Sequence, residues 1–219
     1  MALVRDLLDD LEWVCSSLRI EVLLTINTLD EKSDNLANYT FPITVIQNNR
    51  LLGFGENHNQ AFRSARGEYF CVLNPDVRLQ TEPFSELMNC LKDESIGVAA
   101  PLVVNGEGQI EDSARQFPDP IAILCKAIGF KFQKPYDLNE TEIFPDWLAG
   151  MFMLFRSDTF KQINGFDEKY FLYYEDVDFC QRAVQGGWRV GLDRSVTAVH
   201  HHPLHRRKVP GHLRVATRM

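Results

Sequence analysis

The spacing of apolar positions changes along the chain, and each change predicts an element. From residue 3 to 18, apolar residues at 4, 7, 8, 11, 14, 15 and 18 have the spacing of a helix. Residues 20–26 and 43–47 are short apolar runs that predict strands, joined by a polar loop over 27–40. Residues 48–59 carry two glycines, and a helix is predicted over 60–66, stopped by Gly67. Residues 69–73 are apolar enough for a strand buried on both faces. A helix over 83–92, a strand over 98–104 and a hairpin turn at Asn105-Gly106 follow. Residues 112–145 hold four prolines and read as loop. Residues 147–155 predict a strand, a short helix ends at Gly165, and a longer helix covers 175–185 before Gly186-Gly187. Residues 189–192 and 196–200 predict two short final strands. Alternating strands and helices in the first hundred residues predict an α/β fold with a mostly parallel sheet.

A chain of 219 residues, 45% hydrophobic and 24% charged, fits one such domain with a substantial core. No apolar run approaches a membrane span, and an acidic helix follows Met1-Ala2 where a signal peptide would be apolar. Five cysteines, scattered without C-x-x-C spacing, predict reduced, mostly buried thiols and a cytoplasmic setting. The net charge of −7 is uneven. From His200 onward there are five basic residues, Arg206, Arg207, Lys208, Arg214 and Arg218, and no acid. The acidic body argues against nucleic-acid binding. The basic end reads as a solvated, frayed tail; its other readings are a peripheral contact with anionic lipid headgroups at the inner face of the membrane and a contact with a phosphorylated acceptor.

Four places carry candidate chemistry. Asn74-Pro75-Asp76 ends a central strand abruptly, because proline gives no N–H to the ladder. A carboxylate there can ligate a divalent cation that carries a diphosphate, although an Asx turn has the same residues. Gly53-Phe-Gly-Glu-Asn-His-Asn59 lies between strand and helix, so its glycines and the helix start suit an anion; a glycine-rich turn capped by Asn reads equally well. It matches neither a Walker A loop nor G-x-G-x-x-G. Glu175, Asp176 and Asp178 crowd the first turn of a helix whose apolar face is Val177, Cys180, Ala183 and Val184. Acids there oppose the helix dipole, and one of them, approached past Phe171, Tyr173 and Tyr174, can serve as a general base. Five of the six histidines lie at or after position 200, where His200 can complete a metal site with Asp76 or belong to a His-rich tail.

Taken together these segments resemble the family 2 glycosyltransferases, rhamnosyltransferase-like branch. The residues that carry the likeness are Asn49-x-x-x-Gly-Phe-Gly-x-Asn-x-Asn59, Leu73-Asn-Pro-Asp76, Trp147-Leu-Ala-Gly150, Gly165-Phe-Asp-Glu168 with Phe171, Glu175-Asp-Val-Asp178, Gly187-Trp188 and His200. They run in order over roughly residues 3–205. The resemblance implies a Rossmann-like nucleotide-diphospho-sugar transferase fold of the glycosyltransferase A type, working with Mg²⁺ or Mn²⁺. It implies one domain: 1–95 the nucleotide-sugar-binding half, 96–199 the acceptor-side half, 200–219 the basic tail.

By the same resemblance Asp76 holds the metal on the donor diphosphate, with His200 as a further contact. Asn27, Gly53, Asn57, Asn59 and Asn74 are donor-binding positions. Asp176, with Glu175 beside it, deprotonates the acceptor hydroxyl, while Trp147 and Gly150 line the acceptor side. The implied reaction is an inverting transfer of one sugar, rhamnose being the branch's commonest, to a saccharide or lipid-linked acceptor in surface polysaccharide synthesis. Gln181-Arg-Ala-Val-Gln-Gly-Gly-Trp188 lacks the Gln-x-x-Arg-Trp spacing of processive synthases.

The chain departs from the family pattern at its start. The family opens with a buried strand that contacts the nucleobase, and here only Met1-Ala2 precede the first helix. Loss of a central strand is expected to open the sheet, weaken the base pocket and leave an edge that invites a homodimer, unless another segment completes the sheet. This favours a rival reading, a non-catalytic domain that binds a partner. Intact Asp76, Glu175 and Asp176 favour the enzyme. A nucleotidyltransferase would need a basic, glycine-rich phosphate loop near the amino terminus, and the chain has none.

Overall fold

The computed structural model describes residues 1–28, 36, 38–117, 142–201 and 214–218. Helix α1 (Ala2–Val14) buries Val4, Leu7, Leu8 and Leu11, the stripe its periodicity predicts. It leads into β1 (Glu21–Ile26), buried almost throughout, whose parallel neighbour β2 (Ile43–Gln47) forms an exposed sheet edge. Helix α2 (Phe54–Ser64) starts at Phe54 and not at Gln60, because the glycine-bearing segment forms its first turns instead of a loop. Next come β3 (Tyr69–Leu73), β4 (Val77–Arg78), α3 (Phe84–Cys90) and the long strand β5 (Ile96–Asn105). The predicted strand over 147–155 is split in two. β6 (Ala114–Arg115) pairs with β8 (Trp147–Leu148), while β9 (Phe152–Arg156) joins the main sheet. β7 (Glu142–Ile143), α4 (Ser157–Gln162), α5 (Glu175–Gln185), β10 (Arg189–His200) and β11 (Arg214–Arg218) complete the described elements. The two predicted final strands are one, β10, with a register shift against β5 between Asp193 and Thr197.

The main sheet has the order β2-β1-β11-β3-β9-β5-β10-β4, with β7 on β10. β1, β2, β3, β5 and β10 run one way, as expected, but β9 stands antiparallel between β3 and β5, and β11 antiparallel between β1 and β3. The sheet is therefore mixed. Apolar periodicity carries no strand direction, which is why these reversals are not readable from it.

β11 also corrects the expectations for both ends of the chain. Part of the basic tail is not frayed: Arg214–Arg218 pairs with β1 on one side and β3 on the other. Its backbone closes the two edges that would otherwise face each other unpaired, so the sheet is continuous where an opening was expected. Arg206, Arg207 and Lys208, the tail's other basic residues, lie outside the described residues.

Period-two alternation in the strands builds two cores. Val22, Leu24, Cys71, Leu73, Phe152 and Leu154 face α1 and α3. Leu23, Phe70, Val72, Met153 and Phe155 face α2, α4 and α5. Phenylalanine rings dominate the second core; Phe155 lies 4.9 Å from Phe179 and Phe160 lies 5.5 Å from Phe166, centre to centre. Such edge-on rings add about 1 kcal/mol per pair beyond burial and fix α5 against the sheet. The buried face of α5 is Phe179, Cys180 and Ala183; Val184, expected on it, is 46% exposed. Cys15, Cys71, Cys90 and Cys180 are free and buried; Cys125 lies outside the described residues. No helix of the described residues is long and apolar enough to cross a membrane.

Candidate active site

Strand β3 stops at Leu73 and the chain turns sharply, the Val77 N–H donating to Asn74 O at 3.2 Å. β4 then runs back antiparallel to the end of β10, with Val77 opposite His200. The His201 N–H donates to Asp76 O at 2.9 Å, which holds the turn against that strand end. As a result His200 Nε2 lies 3.4 Å from Asp76 Oδ2. The two residues predicted to share a metal are thus neighbours in space.

The other ring nitrogen, Nδ1, lies 2.7 Å from Glu111 Oε2. Glu111 is a site residue that sequence reasoning missed. The hairpin signal at Asn105-Gly106 is visible in the sequence, but the bridge of Val104 to Ile110, which brings residue 111 back beside the strand, is not. Interaction with Asp76 first, and with Glu111 after it, pushes His200 up to about 9 against the opposing effect of burial. At neutral pH the imidazole is a cation between two carboxylates.

The Asp76–His200 pair fits a divalent cation. Asp76 Oδ1 is buried and accepts no hydrogen bond from the described residues. A carboxylate oxygen beside an imidazole nitrogen suits Mn²⁺ or Mg²⁺, the proton on the ring giving way to the ion. Among the described residues no group of three or more His, Cys, Asp or Glu could hold a metal by itself. The rest of the coordination shell would fall to ligand oxygens and water.

The second carboxylate site starts α5. Tyr173 and Tyr174 precede it, both at φ 69° in the left-handed region that non-glycine residues rarely adopt. Asp176 Oδ2 accepts the Gly150 N–H at 2.9 Å and Oδ1 accepts the Val177 N–H at 2.9 Å. Gly150 packs tightly here: a Cβ would lie 3.0 Å from the Phe54 ring. Burial pushes the Asp176 carboxyl above its ordinary value, and the backbone hydrogen bonds from Gly150 and Val177 partly offset this. Glu175 is 3% exposed and points inward, so Asp176 is the carboxylate of the pair with an open side. Trp147, half-buried on β8, carries the Arg115 guanidinium 5.5 Å above its ring.

One loop joins the two carboxylates. The Asn74 N–H donates to Met151 O at 2.9 Å, and the preceding residue, Gly150, holds Asp176. The turn after β3 and the start of α5 are therefore fixed to consecutive residues between β8 and β9.

Four residues predicted to bind the donor, Asn27, Gly53, Asn57 and Asn59, make contacts within the framework. Buried Asn27 donates to Leu52 O and accepts the Leu52 N–H, both at 2.9 Å. Asn48 donates to Asn27 Oδ1 at 2.9 Å and to Asn57 Oδ1 at 2.7 Å, and Asn57 donates to Gly53 O at 2.7 Å. Asn59 donates to Phe166 O and accepts the Phe166 N–H, both at 2.9 Å, tying α2 to the Gly165 turn. Gly53 packs on backbone: a Cβ would lie 2.8 Å from Phe171 O, which already accepts the Phe54 N–H at 2.8 Å. The first N–H of α2, that of Phe54, is thus met by the chain itself. Asn74 remains half-buried beside Asp76.

The fold is the Rossmann-like glycosyltransferase A type. It is shared with Staphylococcus aureus TarS 1–349, TM-score 0.61 at 15% identity over 91% of this chain and 56% of that one. It is also shared with GalNAc-T7 crystallised with UDP, GalNAc and Mn²⁺, TM-score 0.55 at 15% identity over 74% of this chain and 33% of that one. The Glycosyl transferase family 2 model matches residues 8–162, and the chain belongs to that family. A second model, the N-terminal domain of galactosyltransferase, matches residues 136–205. Rhamnosyltransferase WbbL of Escherichia coli K12 is 31% identical over 69% of this chain and 61% of its own length. The N-acetylglucosaminyl-diphospho-decaprenol L-rhamnosyltransferase of Mycobacterium tuberculosis H37Rv is 30% identical over 70% of this chain and 53% of its own. The chain therefore spans a little over half the length of these relatives.

Proposed function

We propose that the chain transfers a sugar from a nucleotide-diphospho-sugar to a hydroxyl of a saccharide or lipid-linked acceptor, inverting the anomeric centre. The observation that carries this reading is the tie between the Asp76 turn and Asp176 through Gly150 and Met151. It keeps a diphosphate site and a candidate base at one end of the sheet, where open α/β sheets bind ligands.

Asp176 takes the proton of the acceptor hydroxyl. The acceptor oxygen then bonds to the anomeric carbon from the face opposite the departing diphosphate, and the bond from that carbon to the phosphate oxygen breaks. Gly150 aims the Asp176 carboxylate, and burial raises its basicity. A Mg²⁺ or Mn²⁺ ion held by Asp76 and His200 would supply positive charge to the leaving diphosphate. Asn74 borders the diphosphate, while Trp147 and the exposed rings of Phe171, Tyr173 and Tyr174 offer apolar faces to the acceptor. The names of the two relatives support rhamnose as the sugar and a diphospho-lipid-linked saccharide as the acceptor.

The test is a transfer assay with dTDP-rhamnose, Mn²⁺ and an N-acetylglucosaminyl-diphospho-lipid. Acceptor-dependent release of dTDP, with a product of inverted configuration by NMR, supports the reading. Retained configuration contradicts it, as does silence across dTDP-, UDP- and GDP-sugars.

A further inference from the structure

We infer that Glu111 is a positioning residue that locks the His200 ring so that Nε2, and not Nδ1, faces Asp76. This rests on the reading of Asp76 and His200 as an ion site. An imidazole at a strand end can turn either nitrogen inward, and only one can meet the ion. The Glu111 carboxylate accepts hydrogen bonds and donates none when ionised, so at 2.7 Å it keeps the proton on Nδ1. Nε2 is then the nitrogen whose lone pair becomes available 3.4 Å from Asp76 Oδ2.

The frame that holds Glu111 is hydrogen-bonded on both sides and shared with its target. The Glu111 N–H donates to Val103 O at 2.8 Å, and Glu111 O accepts the Ser113 N–H at 2.8 Å. The turn before it is closed by Asn105, whose N–H donates to Gln109 O at 2.8 Å and whose Oδ1 accepts the Gln109 N–H at 2.9 Å. His200 itself lies opposite Asn105 in the β10–β5 register. One strand, β5, thus sets both the ring and the carboxylate that orients it. Groups that hold a ligating imidazole by its second nitrogen typically change metal affinity ten- to a hundredfold.

The test uses the full chain and Mn²⁺ alone, bound ion being read from loss of the free-ion EPR signal. Glu111→Ala should weaken Mn²⁺ binding about ten- to hundredfold. Glu111→Gln, whose amide oxygen still accepts from Nδ1–H, should stay within a few-fold of the parent, a rescue that a general packing defect would not give. His200→Ala is the control for the underlying reading. If it weakens binding while Glu111→Ala does not, the positioning role is overturned and the ion site stands. If His200→Ala also binds as the parent does, the ion site falls and the inference with it. Should Glu111→Ala fail to fold, long-range ¹H–¹⁵N spectra of the parent loaded with Zn²⁺, a diamagnetic stand-in, decide the matter. A proton on His200 Nδ1 supports the inference, and Zn²⁺ on Nδ1 overturns it.

Discussion

The Phe54 N–H donates to Phe171 O at 2.8 Å, joining the start of α2 to the aromatic loop that leads into Asp176. Two segments far apart in sequence, one read as donor-side and one as acceptor-side, are in direct backbone contact.

Gly53 permits that contact. Its φ is −68°, which any residue adopts, so the need for glycine is one of space and not of backbone conformation. Gly53→Ala places a Cβ 2.8 Å from Phe171 O and 3.0 Å from Phe171 Cα, both backbone atoms. Overpacking of this kind costs about 1–3 kcal/mol. A urea titration should show that loss, together with a lower transfer rate from displacement of the loop. An unchanged midpoint would show that the loop moves aside freely.

Tyr173 is 72% exposed and left-handed, so its strain has no compensating burial. Tyr173→Gly removes a conformational cost of about 1 kcal/mol or more, and the melting temperature should rise. If the ring contacts the acceptor, acceptor KM rises as well while donor KM is unchanged. A variant that gains stability and loses nothing would remove Tyr173 from the acceptor site.

Burial raises Asp176 above the 3.8 of an ordinary Asp, so its ionised form is disfavoured in the fold. Two consequences have opposite signs. Activity, which needs the carboxylate, should fall as pH drops through a pKa higher than that of an exposed Asp. Stability runs the other way: the folded state holds the proton more tightly, so the contribution is present at low pH and lost as pH rises through the folded value. Asp176→Asn should therefore reduce kcat about 10²–10⁴-fold and remove the part of the stability that the parent loses as pH rises through the raised Asp176 value. A melting temperature that varies with pH just as the parent's does would contradict the linkage.

Most strands and helices are legible in the sequence because each buries a face whose period is unmistakable: Leu7, Leu8 and Leu11 on α1, or the unbroken apolar run of β3. The Asp76 turn is legible because proline ends the ladder there. Strand direction is not legible, and neither is β11, whose slot exists only once β1 and β3 have folded beside it. Within the site the carboxylates and His200 are legible as chemistry. The contacts of the asparagines are not legible, because a buried amide bonded to Leu52 or Gly53 has the same letter as one that faces a ribose. Glu111 is hidden because its function is set by register, one hairpin away from any motif.

The measurement that bears most directly on the central claim is the thermal stability of the chain with UDP, dTDP or GDP, each with and without Mn²⁺. A ligand above its Kd raises the midpoint by mass action. The Asp76–His200 geometry predicts a shift for one nucleotide that requires Mn²⁺ and disappears in Asp76→Asn and His200→Ala. A shift that ignores Mn²⁺, or that survives both substitutions, would contradict the site, and no shift with any nucleotide would favour a domain that binds a partner without turnover.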